Sequence, residues 1–227
     1  MNNDRFVAIA TDYESLISQV AAIQGNDYAK FEQSIYNEVA KTPFITGRIL
    51  DVGCGDGATS FRFIEAGCNV SGIDLNPEMI SAYNQRFAGK TKAEFGDATD
   101  MANFALGEIS VIITGAAIHN IPVTERVNFW KEVLRLAPKM IVMAEKVVDP
   151  DPVKHQAYYD KEVWAIKEVF GHMNNLPVQC QEWLDHYVYD ERERLEFAEV
   201  QEALGEMYDL EVVYEMGMFK TIRGLKK

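Results

Sequence analysis

The sequence predicts an α/β fold built on a doubly wound, mostly parallel seven-stranded sheet. Between residues 48 and 148, short apolar runs typical of strands alternate with helical patterns. The first of these runs ends in a glycine-rich loop, and two more strand-like runs come near the end of the chain. Alternation of this kind favours a parallel sheet, because parallel strands need crossover connections and helices supply them.

Each expected element has its own sequence signal. The expected strands are residues 48–53, 69–74, 93–97, 109–115, 140–143, 210–214 and 218–222. Residues 109–115 are almost continuously apolar, which is typical of a strand covered on both faces. One helix is expected at Pro77 with Asn76 as its cap, and another with Thr124 as its cap. The last two strands are expected to pair antiparallel and to close the sheet edge.

We expect residues 1–227 to form a single domain with four parts. Residues 48–147 are the predicted binding core. Residues 11–41 have apolar side chains at helical spacing and are expected to cover the binding edge of the sheet. After strand five, residues 149–190 form an aromatic-rich helical insertion, and residues 191–227 supply the closing helix and strand pair.

The composition narrows the classes of partner. The formal net charge is −13 over 227 residues, whereas binding to nucleic acid or to an anionic membrane requires clustered Lys and Arg. The charge therefore favours a small, neutral or cationic substrate. No apolar run approaches the ~20 residues of a membrane-spanning helix, and the N-terminus lacks the pattern of a signal peptide. Three unevenly spaced cysteines favour a reducing, cytoplasmic setting.

The first strand ends in the motif Asp51-Val52-Gly53-Cys54-Gly55-Asp56-Gly57. Glycine lets the backbone approach a ligand where a Cβ would clash, and the helix N-terminus that follows usually favours an anion. Here Asp51 and Asp56 disfavour a pyrophosphate and suit a ligand with a cationic amine and a sulfonium. The third glycine also comes one position earlier than in the dinucleotide fingerprint Gly-x-Gly-x-x-Gly.

Acidic residues also end the next two strands. Asp74 closes the second strand, 17 positions after Gly57, where its carboxylate can accept from both hydroxyls of a ribose. Asp97 closes the third strand, where it can accept from an adenine amino group. The carboxyl ends of the strands lie at the edge where such sheets bind ligands. The loop and the two acids therefore predict one site.

With these residues the middle of the chain resembles a class I S-adenosylmethionine-dependent methyltransferase of the small-molecule type. Residues 49–57 match the first motif of that family, residues 72–79 the ribose-binding second motif and residues 96–98 the adenine-contacting third. The resemblance implies a Rossmann-like methyltransferase fold with S-adenosylmethionine as the cofactor.

The resemblance also implies roles for individual residues. The backbone around Gly53 and Gly55 would touch the methionine part, Asp74 would hold the ribose, and Asp97 would contact the adenine edge. Met79 or Leu75 would pack on the adenine ring. The predicted cofactor-binding residues are Asp51, Gly53, Cys54, Gly55, Asp74, Leu75, Met79, Asp97 and Ala98.

The expected reaction is methyl transfer to a small-molecule acceptor. Its barrier falls mainly through alignment, and a base is required only for a protonated nucleophile. His119, after strand four, and Glu145, at the end of strand five, are the candidate catalytic residues. The alternatives are a histidine that only packs its turn and a local ion pair between Glu145 and Lys146. No metal site is expected, because the other histidines are scattered.

Two other functions stay open. The step Ala144-Glu145-Lys146 followed by a helical insertion is similar to carboxy-S-adenosylmethionine synthases, which need an arginine facing the carboxylate; residues 181–189 contain none. The other alternative is a non-catalytic module that binds the cofactor. Tyr158, Tyr159 and Trp164 favour the core or a dimer interface over a substrate box, so a homodimer is compatible with the sequence.

Overall fold

The strands of the computed structural model, which describes residues 13–42 and 46–227, form one seven-stranded sheet. They are β1 (Arg48–Val52), β2 (Val70–Asp74), β3 (Ala93–Phe95), β4 (Ile109–Gly115), β5 (Met140–Lys146), β6 (Tyr208–Met216) and β7 (Phe219–Lys226). Their order is β3-β2-β1-β4-β5-β7-β6, and β7 runs antiparallel to both of its neighbours. The predicted doubly wound, mostly parallel sheet is confirmed.

Helices cover both faces of this sheet. They are α1 (Tyr13–Ile23), α2 (Tyr28–Ala40), α3 (Phe61–Glu65), α4 (Pro77–Arg86), α5 (Val123–Leu136), α6 (Pro152–Ile166), α7 (Pro177–Asp190) and α8 (Phe197–Leu204). One hydrophobic cluster packs α5 and α8 on one face, and a second packs α2, α3 and α4 on the other. The order of the strands reverses between β1 and β4, which opens a crevice beyond their carboxyl ends.

Of the two helix caps predicted from the sequence, Asn76 is confirmed and Thr124 is wrong. The side chain of Asn76 accepts from the backbone N–H of Glu78 (2.9 Å) and of Met79 (3.4 Å), as expected for a cap before Pro77. The expected cap at Thr124 is wrong, because α5 begins one residue earlier, at Val123. The carboxylate of Glu193 accepts from the N–H of Val123 at 2.6 Å, so a distant residue satisfies this helix end.

The N-terminal segment is helical, as expected, and it forms two helices. Gly25, with φ +78°, lies between them, and the Asp27 side chain caps α2 by accepting from the N–H of Lys30 at 3.3 Å. The second helix packs on the sheet, where the hydroxyls of Ser34 and Thr221 lie 2.5 Å apart. The first helix, α1, packs against the insertion. Residues 11 and 12, part of the predicted cover, lie outside the described residues.

The insertion has a hydrophobic cluster of its own. A π-helical turn, Lys167–Met173, joins α6 to the segment before α7. Buried side chains of α1, α6, α7 and this turn pack together, and Met218 of the β6–β7 turn joins them from the sheet. Pro152 and Pro177 stand in the first turns of α6 and α7. No helix within the described ranges is long and apolar enough to cross a membrane.

The two closing strands are longer than expected, and they occupy different places in the sheet, one inner and one at the edge. Strand β7 pairs with the whole length of β5, from Met140 opposite Leu225 to Lys146 opposite Phe219. Strand β6 forms the outer edge. The second strand of the predicted antiparallel pair is therefore the inner one.

Arg126 connects α5 to the segment before α8. Its guanidinium is fully buried and donates to the backbone carbonyls of Ile121 (2.9 Å), Arg194 (2.8 Å) and Glu193, and to the carboxylate of Glu199 (2.9 Å). A buried charge is tolerated when ionised and polar partners surround it in this way.

Replacing Arg126 by Leu should lower the free energy of unfolding by about 2–4 kcal/mol, because the carbonyls and the Glu199 carboxylate lose their donor. Urea denaturation of both proteins measures the difference. The matched control is Arg192→Leu, an exposed arginine nearby, which should change stability by about 0.5 kcal/mol or less. Equal stability of the two variants would show that the buried guanidinium adds no net stability.

Candidate active site

The glycine-rich loop between β1 and α3 borders a cavity at the carboxyl edge of the sheet. Gly53 (φ +69°) and Gly55 (φ +52°) adopt the left-handed conformation that favours glycine. A Cβ at Gly53 would lie 2.5 Å from the Cβ of Ala117, whereas a Cβ at Gly55 would meet no atom within 4 Å. Gly53 therefore permits contact with the loop after β4, and Gly55 leaves backbone accessible to a ligand.

Two acidic side chains, at the end of β2 and just after β3, share this cavity with the loop. The carboxylate of Asp74 accepts from the N–H of Gly55 at 2.9 Å and of Asn76 at 2.8 Å. Asp97 accepts from the N–H (2.8 Å) and the hydroxyl (2.7 Å) of Thr99. Each carboxylate has further lone pairs with which to accept from a ligand.

Apolar side chains line the cavity between these acids. Leu75, Met79, Ala98 and Cys54 all contribute to the wall. Leu75 is 51% exposed, so it offers a free apolar face to a flat ring. Burial raises the pKa of the Cys54 thiol, and the charges of neighbouring aspartates raise it further. Cys54 therefore stays neutral, so its side chain lines the cavity and does not serve as a nucleophile.

Asp51 does not line the cavity, in contrast to the other eight residues predicted to bind the cofactor. Its carboxyl group is fully buried and accepts from the Ser60 hydroxyl at 2.6 Å, and the Tyr83 hydroxyl donates to Ser60 at 3.2 Å. Burial raises the pKa of Asp51 to about 7, and repulsion from Asp74 and Asp56 adds to the rise. The hydrogen bond from Ser60 acts in the opposite direction and lowers this pKa. Asp51 thus stabilises the glycine-rich loop from the side that faces away from the cavity.

Glu145, near the end of β5, organises the loop that follows β4. It is fully buried. One oxygen accepts from the Thr114 hydroxyl at 2.8 Å and from the N–H groups of Ala117 and Ile118, both at 3.1 Å; the other accepts from Nδ1 of His119 at 2.9 Å. Burial alone would raise the pKa of Glu145, but these hydrogen bonds and the charge of His119 hold it below its usual range. The carboxylate is therefore ionised.

The Glu145 contact fixes the tautomer of His119. An ionised carboxylate only accepts, so Nδ1 carries a hydrogen, and in the neutral form of the ring Nε2 has the lone pair. Nε2 lies 3.4 Å from the amide nitrogen of Asn120, which also donates to the carbonyl of Ala116 at 2.9 Å. Ala116 has φ +53°, a strained conformation for a residue with a Cβ. His119 lines the cavity, so the oriented ring is within reach of a bound molecule.

Glu145 does not pair with Lys146, the alternative that the sequence left open. Successive side chains of a strand point to opposite faces. Glu145 faces His119, whereas Nζ of Lys146 lies 3.6 Å from the ring centroid of Tyr187 and lines the cavity.

The cavity measures about 830 Å³ and has two chemically different halves. We call the "loop half" the part lined by residues 53–59, 74–79 and 96–99; its acids are Asp56, Asp74, Glu78 and Asp97, and no Lys or Arg lines it among the described residues. The "insertion half" is lined by α1, α2, α6, α7 and the strand ends beside them. Its apolar and aromatic lining includes Ile17, Val20, Phe31, Ile35, Ile166, Trp183, Tyr187, Met216 and Phe219.

Tyr158, Tyr159 and Trp164, for which the sequence favours the core or a dimer interface over a substrate box, do not line the cavity. Tyr158 and Tyr159 pack partly buried in the cluster of the insertion, and Trp164 is 47% exposed. Trp183 and Tyr187, four residues apart on α7, face the cavity instead. The spacing of four was visible in the sequence, but the face of α7 that meets the sheet edge was not.

The fold also brings two histidines together. The rings of His119 and His186 lie 6.4 Å apart, although 67 positions separate them in the sequence. Across residues 13–42 and 46–227, no group of three or more His, Cys, Asp or Glu side chains is arranged to hold a metal ion.

Comparisons with known proteins agree with this geometry. Residues 49–139 match the family described as methyltransferase domain. A methyltransferase of 2-heptyl-1-hydroxyquinolin-4(1H)-one from Mycobacteroides abscessus is 32% identical to this chain over 97 residues, which are 41% of this chain and 42% of that protein. The aligned part is therefore less than half of that relative.

Two solved structures share the fold of this chain. A TehB-like S-adenosylmethionine-dependent methyltransferase from Corynebacterium glutamicum matches with a TM-score of 0.61 and 17% identity, over 100% of both chains. A magnesium protoporphyrin IX methyltransferase from Synechocystis, solved with bound S-adenosylmethionine, has a TM-score of 0.57 and 13% identity over 88% of this chain and 79% of that one.

The buried carboxyl group of Asp51 makes stability depend on pH. Its pKa is about 7 in the folded protein against an ordinary value of 3.8. The stability that its protonated form contributes is complete below pH 3.8 and is lost as the pH rises towards 7. Asp51→Asn cannot ionise, so relative to the natural protein it should gain a few kcal/mol between about pH 4 and about pH 8, at about 1.4 kcal/mol per pKa unit.

Urea denaturation at the two pH values measures this gain. The control, Asp209→Asn, changes an aspartate whose side chain is 78% exposed, and its difference from the natural protein should be the same at both pH values. A gain for Asp51→Asn that does not grow with pH would mean that this carboxyl group ionises normally in the folded protein.

Proposed function

We propose that this protein transfers a methyl group from S-adenosylmethionine to a small-molecule acceptor. One observation carries the proposal: a single cavity joins an acid-lined glycine loop to the oriented pair of His119 and Glu145. When bound, S-adenosylmethionine supplies an electrophilic methyl group on a sulfonium sulfur. The methyltransferases to which this chain is similar support the proposal.

The charge of the loop half favours this cofactor over a dinucleotide. Its four acids would repel a pyrophosphate, whereas they attract a ligand with a sulfonium and an ammonium group. Asp74 would accept from the ribose hydroxyls, and Asp97 from the adenine amino group. Leu75 and Met79 would enclose the adenine ring. The backbone at Gly53, Cys54 and Gly55 would receive the methionine part, and Ala98 would complete the wall beside Asp97.

His119 is proposed as the general base and Glu145 as the residue that positions it. Nε2 of His119 would accept the proton of the acceptor while the Nδ1–H stays bonded to Glu145. The ionised carboxylate would stabilise the imidazolium that forms. Since Glu145 is fully buried, it acts through His119 and does not touch the acceptor.

The acceptor would be an apolar small molecule held in the insertion half. Trp183, Tyr187 and Phe31 offer aromatic surfaces there, and aromatic side chains pack well on flat ligands. The names of two similar proteins denote methyl transfer to a hydroxyquinolone and to a magnesium protoporphyrin, both of which are flat ring systems.

The carboxylated-cofactor alternative is less well supported. That chemistry needs an arginine opposite the extra carboxylate, and no arginine lines the cavity among the described residues. Mass spectrometry of small molecules released on denaturation would detect a carboxylated sulfonium compound directly. The binding-module alternative predicts that the protein binds the cofactor and shows no turnover.

Two measurements test the proposed function. Isothermal titration with S-adenosylmethionine and S-adenosylhomocysteine should show binding of both, and the absence of binding by either would exclude the proposal. Transfer of a labelled methyl group to a panel of hydroxyl, amine, thiol and carboxylate acceptors should then yield a methylated product. Binding without transfer to any acceptor would favour the non-catalytic module.

Asp74→Ala should weaken the binding of S-adenosylmethionine by about 1–3 kcal/mol, the range for a lost charged hydrogen-bond partner. The loss would have two sources, since Asp74 also accepts from the N–H of Gly55 and of Asn76. Titration calorimetry measures the affinity, with Asp160→Ala on the exposed face of α6 as the control. Unchanged affinity of Asp74→Ala would exclude this residue from cofactor binding.

His119→Asn should lower kcat about 100-fold or more for an acceptor that carries a proton on its nucleophile. The asparagine amide can still donate to Glu145, so the loop after β4 keeps its hydrogen bond while the lone pair of Nε2 is lost. Affinity for S-adenosylmethionine, measured by titration calorimetry, should stay unchanged. Full turnover of this variant would mean that His119 only packs its turn.

We also propose a single domain in a cytoplasmic location. Cys54, Cys68 and Cys180 are free thiols in the described residues, as in a reducing compartment. The net charge of −13 opposes binding to nucleic acid and to anionic membranes. The 47% exposure of Trp164 is compatible with a homodimer, and light scattering measures the oligomeric state.

A further inference from the structure

The insertion half is the enclosed end of the cavity. Ile35 and Ile166 are each 1% exposed and Tyr187 is 4% exposed, although all three line the cavity. Leu75, in the loop half, is 51% exposed. A side chain on the wall of a wide or open space would expose more of its surface to water. The insertion half is therefore narrow, and a molecule bound there has little room to extend into solvent.

Aromatic rings from three elements fix the walls of this half. The ring centroids of Phe31 on α2 and Phe219 on β7 lie 5.3 Å apart at an interplanar angle of 62°. On α7, Trp183 packs at 5.8 Å against Phe170, a fully buried side chain of the insertion cluster. Ring pairs of this kind are favourable, and a close-packed interior resists deformation. Widening the insertion half would therefore require these ring contacts to break.

The volume of the cavity limits the size of the acceptor. The two halves together measure about 830 Å³. A molecule of the size of S-adenosylmethionine would take up roughly half of this space, which leaves about 400 Å³ for the acceptor, near the lower end of the ~300–1,000 Å³ range of ligand pockets. Such a space admits a compact ring system, whereas a macrocycle such as a tetrapyrrole is too large for it.

We propose that the insertion half selects the acceptor by size: it admits flat apolar compounds of about one to three fused rings and excludes larger ones, and Trp183 and Phe219 set the limit. This inference rests on the proposed methyl transfer and specifies the size of its acceptor. Trp183 bounds the space from α7 and Phe219 from β7, so an extra ring would have to displace one of them. Displacing a packed ring costs binding free energy, as overpacking does in a protein core.

Charged side chains also line the insertion half, among them Glu32, Lys146 and Glu162. A charged probe would report their effect together with that of size. Neutral probes that differ in the number of rings isolate the effect of size.

Three hydroxylated hydrocarbons test the size limit: naphthalen-2-ol with two fused rings, anthracen-2-ol with three and pyren-1-ol with four. Their fluorescence reports binding to the complex with S-adenosylhomocysteine, at a pH at which they are neutral. The two smaller compounds should bind, and pyren-1-ol should bind at least about 10-fold more weakly than naphthalen-2-ol, because it overlaps the fixed walls. The hydrophobic effect alone predicts the opposite order, since a larger ring system buries more apolar surface.

Two variants enlarge the insertion half. Trp183→Phe should raise the affinity for pyren-1-ol relative to naphthalen-2-ol about 10-fold, because the larger wall residue no longer has to be displaced. Phe219→Leu, at a half-buried position, should shift the ratio in the same direction. The matched control, Trp164→Phe, changes a tryptophan that is 47% exposed and does not line the cavity, and it should keep the natural ratio. Unchanged affinity for S-adenosylhomocysteine shows that each variant is folded.

Three results would overturn the inference. The first is that pyren-1-ol binds to the natural protein as tightly as naphthalen-2-ol does. The second is an unchanged ratio of affinities in both enlarging variants. The third is that none of the three compounds binds, although S-adenosylhomocysteine does.

Turnover separates this inference from the proposed function. With S-adenosylmethionine, equal kcat/KM for pyren-1-ol and naphthalen-2-ol would overturn the size limit and leave methyl transfer intact. Size-dependent binding without transfer to any of the compounds would contradict methyl transfer and leave the size limit of the cavity intact. If neither S-adenosylmethionine nor S-adenosylhomocysteine binds, the proposed function is wrong, and the inference that rests on it is wrong as well.

Discussion

The buried carboxylate of Glu145 is the constraint on which the candidate site depends. It accepts hydrogen bonds from strand β4, from two backbone N–H groups of the following loop and from the ring of His119. An ionised group removed from water is stable only with such partners. The loop after β4 must therefore take the one path that brings these donors together. That path places Ala117 against Gly53, so the two cavity-lining loops fit each other.

The alternation of side chains along β5 determines which of its residues line the cavity. Because Glu145 points towards β4 and His119, its neighbours Ala144 and Lys146 line the cavity on the other face of β5. One strand thus provides both the buried carboxylate that orients a histidine and a lysine side chain that lines the cavity. A shift of register by one residue would exchange these two roles. The pairing of β5 with β4 on one side and β7 on the other opposes such a shift.

The sequence predicted the parts of the site that follow from local rules. The glycine loop, Asp74 and Asp97 end consecutive parallel strands, and that topology brings them to one edge. The sequence could not show that the Asp51 side chain turns away from the cavity towards Ser60. Nor could it show that Glu193 caps α5 from 70 positions away. The insertion half was the part of the site that the sequence predicted least. The packing of α1, α6 and α7 decides which face of α7 meets the sheet edge, and that packing cannot be read from the sequence. Trp183 and Tyr187 were therefore visible as aromatics but not as cavity walls.

The separate hydrophobic cluster of the insertion has a consequence for how this protein can diverge. Among the described residues, its buried members come from α1, α6, α7 and the π-helical turn, and Met218 alone comes from the sheet hairpin. Substitutions that reshape this cluster disturb few contacts with the core that holds the glycine loop. Such substitutions can therefore change the shape of the insertion half while the loop half keeps its present geometry.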